Sequence, residues 1–332
     1  MTMLYFIGHA LDGIDRLFAF DPVNHHLEIL EITLASHRYR QLALSPSHRY
    51  LFCHPLTRNQ IAVIDTDSNQ VSFIPFSETV PQTLYWCGDD WLLCNINQGI
   101  WALRRDGNTY QHLSFFEPFR LIDVANDARH VLLCPPNPTI GDIFVGDLNQ
   151  QSVTHILHGA DFEQTHEIVE PVSWSPNSRT IACLGAYEQE VWLVNRDGTS
   201  PRSFMAVDYH QASAFAWAPN GYSIAAFRGL DGGGPDALKV GVFVRALQTG
   251  EERQVLTVEG DNAICGWSAD SQGFLYTHQV EWLQDIRRWT SRYIETERIQ
   301  RTTIRAIALD GRDTELLAIE HGIVDIQKLV SA

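Results

Sequence analysis

The chain alternates short apolar runs with small clusters of turn residues, and this pattern recurs along its length. A twelve-residue module consists of an apolar run, a turn with Ser, Pro, Asn, Asp or Gly, and a second apolar run. Such residues between two apolar runs predict a tight antiparallel hairpin. The copies are LALSPSHRYLFC from Leu42, TLYWCGDDWLLC from Thr83, VSWSPNSRTIAC from Val172, FAWAPNGYSIAA from Phe215 and CGWSADSQGFLY from Cys265, with a looser copy, IDVANDARHVLLC, from Ile122.

A second hairpin module follows each copy of the first. It begins at Ile61, Ile100, Ile143, Val191, Val242 and Ile304, and in three copies its turn contains Asp-Gly, a strong hairpin signal. The full unit is therefore four antiparallel strands, here called a, b, c and d, repeating roughly every 40 to 50 residues. Units of this length and strand number predict the blades of a β-propeller.

The two ends of the chain complete each other in this pattern. LYFI, from Leu4, matches strand b, and LFAFDPVNHHLEIL, from Leu17, matches the c–d hairpin, so the first unit lacks strand a. One extra strand, GIVDIQKLV, remains after the last hairpin and starts at Gly322. If that strand supplies the missing a, seven blades close into a ring without open sheet edges. We therefore expect an all-β, seven-bladed propeller, with residues 1–332 as a single domain.

The blade motif resembles the repeat of TolB-type propellers. The residues that carry this likeness are SWSPNS from Ser173, AWAPNG from Ala216 and GWSADS from Gly266. The second blade, from Leu42, also looks like the repeat of lactonase-like and surface-layer propellers. The resemblance implies a blade rather than an activity. The chain departs from TolB because it shows neither an export signal nor an additional N-terminal domain, and the marks of WD and kelch repeats are missing.

The charge balance changes the picture of possible partners. The chain carries 24 Lys and Arg against 40 Asp and Glu, a formal net charge of −16, and it has no basic run. This acidity argues against nucleic acid and anionic membranes as partners. No stretch of 18 apolar residues predicts a transmembrane helix, and the N-terminus lacks the charged region of a secretory signal.

The six cysteines indicate core positions rather than chemistry. Cys53, Cys94, Cys134 and Cys183 occupy the same position at the end of strand b in different blades, and no C-x-x-C occurs. Equivalent positions in different blades are too far apart for a disulfide. We therefore expect these four thiols to be buried and reduced, which favours a cytoplasmic protein.

The long connections predict which end of the propeller carries function. In a four-stranded blade, the a–b and c–d turns lie at one end, here called the turn face. The b–c loops and d–a crossovers lie at the other, here called the b–c face. The turns are all short, whereas the long connections span residues 158–171, 228–235 and 278–301. Long loops on a rigid scaffold commonly carry binding sites, so we place the site on the b–c face over the central channel.

The last of these insertions has aromatic residues at helical spacing. Trp282, Ile286, Trp289 and Tyr293 predict a short amphipathic helix. Such a helix would suit a lid over the channel or a surface for a partner. The other interpretation is that its aromatics pack down on blade 7.

The candidate ligand-binding residues are those that this mapping assigns to the b–c face. They are His9, His37, Arg40, His54, His166, Glu167, His210, Arg228, Asp231, His278, Trp282 and His321. Imidazoles that converge can bind a divalent transition metal. The candidate ligands are His9, His37, His54, His278 and His321, which map to neighbouring blades 7, 1 and 2. The alternative is that these histidines only donate hydrogen bonds to the backbone.

Motifs for catalysis are weak throughout the sequence. There is no G-x-S-x-G, no H-E-x-x-H and no phosphate-binding glycine loop, and no catalytic residue is assigned. Thr165 to Glu167 (THE) and the long insertion of blade 7 are faintly similar to oligogalacturonate lyases, propellers with a histidine-ligated metal. We therefore predict a non-catalytic propeller that binds a peptide, protein or small ligand, without a cofactor. The alternative is a metal-assisted lyase or lactonase acting on a carbohydrate-like substrate.

Overall fold

The structure is a computed structural model, and it describes most strands of the chain together with the turns between them. Some side chains within the described strands are left undescribed. The described residues are 3–10, 15–30, 39–55, 60–75, 81, 83–97, 99–136, 141–158, 168–185, 190–207, 215–230, 239–259, 263–268, 270–286, 295–310, 312–320 and 323–331.

Seven four-stranded antiparallel sheets make up the described fold, and each is one blade. From the first to the fourth strand, blade 1 holds β28 (Ile323–Ser331), β1 (Leu4–Ala10), β2 (Asp15–Asp21) and β3 (His26–Leu30); blade 2 holds β4 (Tyr39–Leu44), β5 (Tyr50–Pro55), β6 (Gln60–Asp65) and β7 (Gln70–Pro75); blade 3 holds β8 (Leu84–Cys87), β9 (Trp91–Ile96), β10 (Gly99–Arg104) and β11 (Tyr110–His112); and blade 4 holds β12 (Arg120–Val124), β13 (His130–Cys134), β14 (Asp142–Asp147) and β15 (Ser152–His158).

The remaining blades follow the same order along the chain. Blade 5 holds β16 (Ile168–Trp174), β17 (Thr180–Gly185), β18 (Glu190–Asn195) and β19 (Arg202–Ala206); blade 6 holds β20 (Phe215–Trp217), β21 (Ser223–Gly229), β22 (Lys239–Ala246) and β23 (Glu252–Glu259); and blade 7 holds β24 (Ala263–Trp267), β25 (Gly273–Ile286), β26 (Glu295–Ala308) and β27 (Asp313–Glu320). A short 3₁₀ helix, Ser114–Phe116, lies between blades 3 and 4. In the described part of the chain, no helix is long and apolar enough to cross a membrane.

The ring closes as the two chain ends predict. β28 pairs antiparallel with β1, from Leu4 opposite Ser331 to Ala10 opposite Ile323. First strands of consecutive blades contact each other around much of the ring, including β24 with β28 and β28 with β4. The first blade therefore takes strand a from the C-terminus, and the prediction of a seven-bladed, all-β propeller is confirmed.

The hydrophobic core lies between neighbouring blades rather than inside one sheet. One cluster joins blades 4 and 5 through residues such as Ile143 and Trp174, and another joins blades 7 and 1 through Leu275 and Phe6. In a closed ring every blade has a neighbour on each side, so each sheet buries both of its faces against neighbouring blades. Every blade therefore depends on two others for its core.

The repeated cysteines lie in this core. Cys53, Cys94, Cys134 and Cys183 have no exposed surface, and the five described cysteines are thiols with no disulfide among them. The prediction that these four residues are buried is confirmed. Burial raises the pKa of Cys183 to about 12. A thiol of that kind is a poor nucleophile at neutral pH, so the cysteines act as small core residues.

The turn face repeats one backbone geometry from blade to blade. In blade 5, Ser175 accepts a hydrogen bond on Oγ from the Thr180 amide at 2.9 Å, and Ser178 has a positive φ of 58°. The equivalent positions share this left-handed conformation, which L-residues adopt rarely. They are His48, Ala128, Gly221 and Ser271.

The predicted amphipathic helix of blade 7 is wrong where the structure describes the insertion. β25 and β26 run fourteen residues each and pair continuously, from Gly273 opposite Ala308 to Ile286 opposite Glu295. Trp282 and Ile286 are four residues apart, and a spacing of four keeps two residues on one face of a strand as well as of a helix. The spacing of Trp282 and Ile286 is therefore compatible with a strand as well as with a helix. Trp289 and Tyr293 lie outside the described residues.

Candidate functional site

The described part of the b–c face is most complete at blades 3 and 4. The crossover between them carries the 3₁₀ helix, in which Phe116 is buried, and the Glu117 amide donates to the Ser114 carbonyl at 3.1 Å. Phe119 then packs against Phe144 of β14, with ring centroids 4.7 Å apart. These anchors fix the crossover against the third strand of blade 4, so Glu117 is held at the end of the propeller.

A cleft of about 370 Å³ opens beside this crossover at the end of blade 3. It mixes apolar and aromatic walls with a few polar groups, the usual composition of a small-ligand site. Its lining residues are Ile96, Asn97, Gly99, Trp101, His112, Glu117, Pro118 and Pro136. They come from the b–c turn and the third and fourth strands of blade 3, from the crossover and from the start of the b–c loop of blade 4, so the cleft lies at the b–c face.

Three side chains form the polar and aromatic part of the cleft. Trp101 and His112 lie opposite each other on β10 and β11, and their rings stack with centroids 4.9 Å apart. His112 Nε2 lies 3.2 Å from Glu117 Oε1. The Glu117 side chain is 54 % exposed. An aromatic face and an accessible carboxylate therefore stand next to each other.

Gly99 makes room for this arrangement. A Cβ atom at residue 99 would lie 2.5 Å from Nε2 of His112, far inside ordinary contact distance. The absence of a side chain there lets the imidazole lie over the start of β10 and stack on Trp101. Glycine is therefore needed at residue 99 for the space it leaves to His112 rather than for its backbone conformation.

A second polar cluster lies on the outer strands of blade 4, also at the b–c end. It consists of Asp142, which begins β14, and of His155 and His158 near the end of β15. One potential ligand atom from each residue lies within 4.8 Å of the others. His158 Nδ1 is hydrogen-bonded to Asp142 Oδ1, and His155 Nε2 lies 3.8 Å from the same oxygen.

A β-bulge brings the two histidines to one side of the sheet. Asp142 pairs with His158 and Phe144 pairs with His155, so Ile156 is an extra residue between the pairs. Residues three apart on a regular strand point to opposite faces, and one inserted residue restores a common face. His155 stacks on Phe144 with ring centroids 4.6 Å apart.

The first strand of blade 4 carries a carboxyl group with a shifted pKa. Asp123 accepts hydrogen bonds at 2.8 Å from the Val124 amide and, across the blade interface, from the Trp174 amide. Burial raises the pKa of Asp123 to about 6, although these two hydrogen bonds lower it. Its oxygens link blades 4 and 5, which gives this residue a structural role.

Two of the predicted site residues have described side chains, and both are packed. His54 lies in β5 and has no exposed surface. Arg228 lies between blades 5 and 6, where Nε donates to the Ala206 carbonyl at 2.8 Å and Nη1 to Glu252 Oε1 at 2.7 Å. Its guanidinium also stands 4.2 Å from the centroid of the Phe243 ring. Arg228 is therefore held by both blades.

The other predicted residues are described partly or not at all. His9, Arg40, His278 and Trp282 lie in strands β1, β4 and β25 rather than in connections, and their side chains are outside the description. The remaining candidates lie outside the described residues. They are His37, His166, Glu167, His210, Asp231 and His321. The five-histidine metal site therefore stays a prediction.

The residues of the cleft and the histidine cluster were not predicted from the sequence. His112, His155 and His158 belong to strand d, where two signals were available. His112 and His155 are both the thirteenth residue of the second hairpin module, counted from Ile100 and from Ile143, and Ile156 and Leu157 are adjacent apolar residues. Such a pair is typical of a bulge, which would have placed His155 and His158 together.

No known protein family matches the chain, and no curated protein sequence matches it. Solved structures match in fold. The dihydro-heme d1 dehydrogenase NirN, in complex with DHE, aligns with TM-score 0.61 and 11 % identity over 99 % of this chain and 75 % of its own. A 6-phosphogluconolactonase candidate from Bacteroides fragilis aligns with TM-score 0.56 and 11 % identity over 100 % of this chain and 98 % of its own.

TolB from Acinetobacter baumannii also aligns, with TM-score 0.50 and 12 % identity over 95 % of this chain and 78 % of its own. The resemblance to TolB-type and lactonase-like propellers is therefore confirmed at the level of the fold. Identities this low carry no activity from one protein to another. The similar propellers include TolB as well as proteins named as a dehydrogenase and a candidate lactonase.

Proposed function

We propose that this chain is a non-catalytic binding propeller that holds a peptide or small ligand with a positively charged group on its b–c face. The observation that supports this proposal is the cleft at blade 3, where Trp101, His112 and Glu117 form an aromatic surface beside an accessible carboxylate. A ligand with an apolar body and a cationic end matches both parts.

The chemistry of the cleft favours an arginine or lysine side chain. A guanidinium can pair with both oxygens of a carboxylate such as Glu117, and it also stacks on tryptophan. The net charge of −16 attracts such a ligand from a distance. Each of these interactions is modest when exposed to water, so recognition would need the cleft walls as well as the charge.

The structure also supplies a rigid frame for the cleft. Trp101 is fixed by strand pairing to β9 and β11, and Glu117 follows a crossover anchored by buried Phe116. A preformed site loses less conformational entropy when a ligand binds. This rigidity supports a role in binding.

The test uses an array of octapeptides that contain arginine or lysine, followed by calorimetry on the strongest binder. Glu117→Gln and Trp101→Ala should each weaken binding by at least about tenfold, equivalent to about 1.4 kcal/mol. Matched controls on the turn face are Asp310→Asn and Tyr222→Ala, because both side chains are exposed. The controls should bind like the wild type.

Two results would contradict this proposal. One is that no peptide on the array binds the wild type more tightly than a scrambled, uncharged set. The other is that binding survives in both cleft variants but is lost on changing Asp106 or Asp197, because those residues lie in c–d turns. The second outcome would move the site to the turn face.

A further inference from the structure

We propose that Asp142, His155 and His158 form a binding site for one divalent transition metal ion of the zinc type. The site lies on the outer strands of blade 4, and it is separate from the five histidines predicted near blades 7, 1 and 2. It goes beyond the proposed ligand cleft, and neither proposal depends on the other.

The strand register places the three donors on one side of the blade. Asp142 and His158 face each other across the β14–β15 pair, and the bulge at Ile156 adds His155 to the same face. A regular strand would direct His155 and His158 to opposite faces. The irregularity in the ladder is therefore what assembles the cluster.

The donor set matches the preferences of zinc-type ions. Two imidazoles and one carboxylate are common ligands for Zn²⁺, with bond lengths of about 2.0 to 2.2 Å. Ligand atoms around such an ion lie roughly 3.3 to 3.6 Å apart in tetrahedral geometry. The separation of 3.8 Å between His155 Nε2 and Asp142 Oδ1 is close to this value, and all three donors lie within 4.8 Å of one another.

Neighbouring contacts hold His155 near the position that an ion requires. Its ring stacks on Phe144, which in turn packs on Phe119 of the crossover. His155 Nε2 also lies 3.0 Å from the Leu157 carbonyl oxygen. Metal binding would replace that hydrogen bond with a metal–nitrogen bond, and the His155 proton would then reside on Nδ1.

The three protein donors leave coordination positions for water or another ligand. His155 and His158 have 42 % and 54 % of their side chains exposed, so an ion can reach them from solvent. Structural zinc sites usually have four protein ligands, whereas sites with three keep an open position. This site therefore suits an ion that exchanges or that binds an external group.

The first experiment measures Zn²⁺ binding by calorimetry on protein treated with a chelator and then freed of it. The wild type should bind one Zn²⁺ per chain with a Kd tighter than about 100 µM. His155→Ala combined with His158→Ala should abolish this binding, and Asp142→Asn should weaken it by at least about tenfold. The matched control removes two exposed histidines elsewhere, His25→Ala with His26→Ala, and should bind Zn²⁺ like the wild type.

A second readout reports the ligands directly. Co²⁺ in place of Zn²⁺ should give visible absorption bands in the wild type and in the His25/His26 control, but not in the His155/His158 double variant. Zn²⁺ should also raise the Tm of the wild type and leave that of the double variant unchanged, because an ion stabilises only the state it binds. If the double variant folds poorly, the same measurements are made on the single variant His158→Ala.

Three outcomes would overturn the proposal. The wild type could bind no Zn²⁺ below about 100 µM. The His155/His158 double variant could bind as tightly as the wild type. Finally, binding could be lost only when His37 and His321 are changed to alanine together, which would assign the ion to the five-histidine site instead.

Discussion

The turn face and the b–c end of blades 3 and 4 are built in opposite ways. On the turn face, one hydrogen-bonding scheme recurs. The backbone amide of Ser47 donates to Asp89, that of Asp127 to Ser178 Oγ, and that of Asn220 to Ser271 Oγ, each pair linking consecutive blades at 3.0 to 3.2 Å. At the b–c end, only part of the arrangement recurs. His112 and His155 hold the same position in the fourth strands of blades 3 and 4, and each stacks on an aromatic residue of the third strand. Glu117 accompanies His112 alone, and the Asp142–His158 pair accompanies His155 alone.

The difference teaches where this propeller can hold a specific site. A residue that recurs in every blade serves the contact that every blade makes, so repetition marks the scaffold. Glu117 beside His112, and Asp142 with His158 beside His155, are each found in one described blade, so neither group serves the ring as a whole. Breaks in the repeat on a rigid ring are therefore the places to look for function.

Removing the closing strand should have the largest effect, because both faces depend on the closed ring. A chain that ends at residue 321 loses β28 and leaves β1 as an open edge in blade 1. We expect it to aggregate or to lose its cooperative thermal transition, as measured by circular dichroism. A truncated chain that melts within a few degrees of the full chain would show that closure by β28 is dispensable.

The next test concerns an ion pair that recurs on the turn face. Arg129 donates to Asp147 Oδ2 through Nε at 3.0 Å, and in blade 2 Arg49 donates to Asp65 Oδ2 through Nε at 3.3 Å. Asp147→Asn should lower the free energy of unfolding at pH 7 by about 2 kcal/mol, because a charge-assisted hydrogen bond is lost. Asp65→Asn should cost less, because the Asp65 side chain is more exposed.

The pH dependence sharpens the same test. The Arg129 guanidinium holds the pKa of the Asp147 carboxyl well below its usual range. A lowered pKa in the folded state means that this stability is present above about pH 4 and is lost as the pH falls further. The difference between the wild type and Asp147→Asn should therefore shrink in chemical denaturation below pH 4. A constant difference down to pH 2.5 would contradict the assignment.

An effect of similar size but opposite pH dependence is expected at the channel side of blade 4. Burial raises the pKa of Asp123 to about 6 from its ordinary value of 3.8, so its protonated form favours the folded state. This contribution is complete below about pH 4 and is lost as the pH rises through about 6. Urea unfolding between pH 4 and pH 7 should show a loss of about 2 kcal/mol in the wild type relative to Asp123→Asn. Parallel pH profiles for the two proteins would refute this.

The smallest effect on stability should come from Gly99→Ala, which alters the b–c end alone. The new Cβ would displace the His112 imidazole from Trp101, and the end of a side chain moves at little cost. We expect a stability change under about 1 kcal/mol. Peptide binding in the cleft should nevertheless weaken at least as much as in Glu117→Gln. If binding is unchanged, the stacked imidazole is not part of the site.

The fold was predictable because each blade repeats the same local signals. Alternating apolar runs, turn residues such as those at Asp106 and Asp197, and the missing strand a at the N-terminus together determine blade number and closure. The failure at Trp282 has a physical cause, since residues four apart share a face in both helices and strands. The ladder from Gly273 to Ile286 required the partner strand to be known.

The grouping of polar side chains at the b–c face was much less predictable, because it depends on pairs of residues from different strands. His54 was assigned to a loop by its place after strand b, yet it lies at the buried end of β5. Arg228 stays a predicted ligand-binding residue, and its guanidinium is held by backbone and carboxylate partners from two blades. The position of each residue in the sequence predicted which end of the blade it lies near, but not the direction of its side chain.

The sequence by itself determined the blade, the number of blades, the closure of the ring and the buried cysteines, because these follow from local periodicity repeated along the chain. The tertiary structure alone decided which polar side chains meet. The stack of Trp101 on His112 requires the register of β10 and β11, and the cluster of Asp142 with His155 and His158 requires a bulge at one residue. Register and bulges are fixed by the pairing and packing of whole strands against each other.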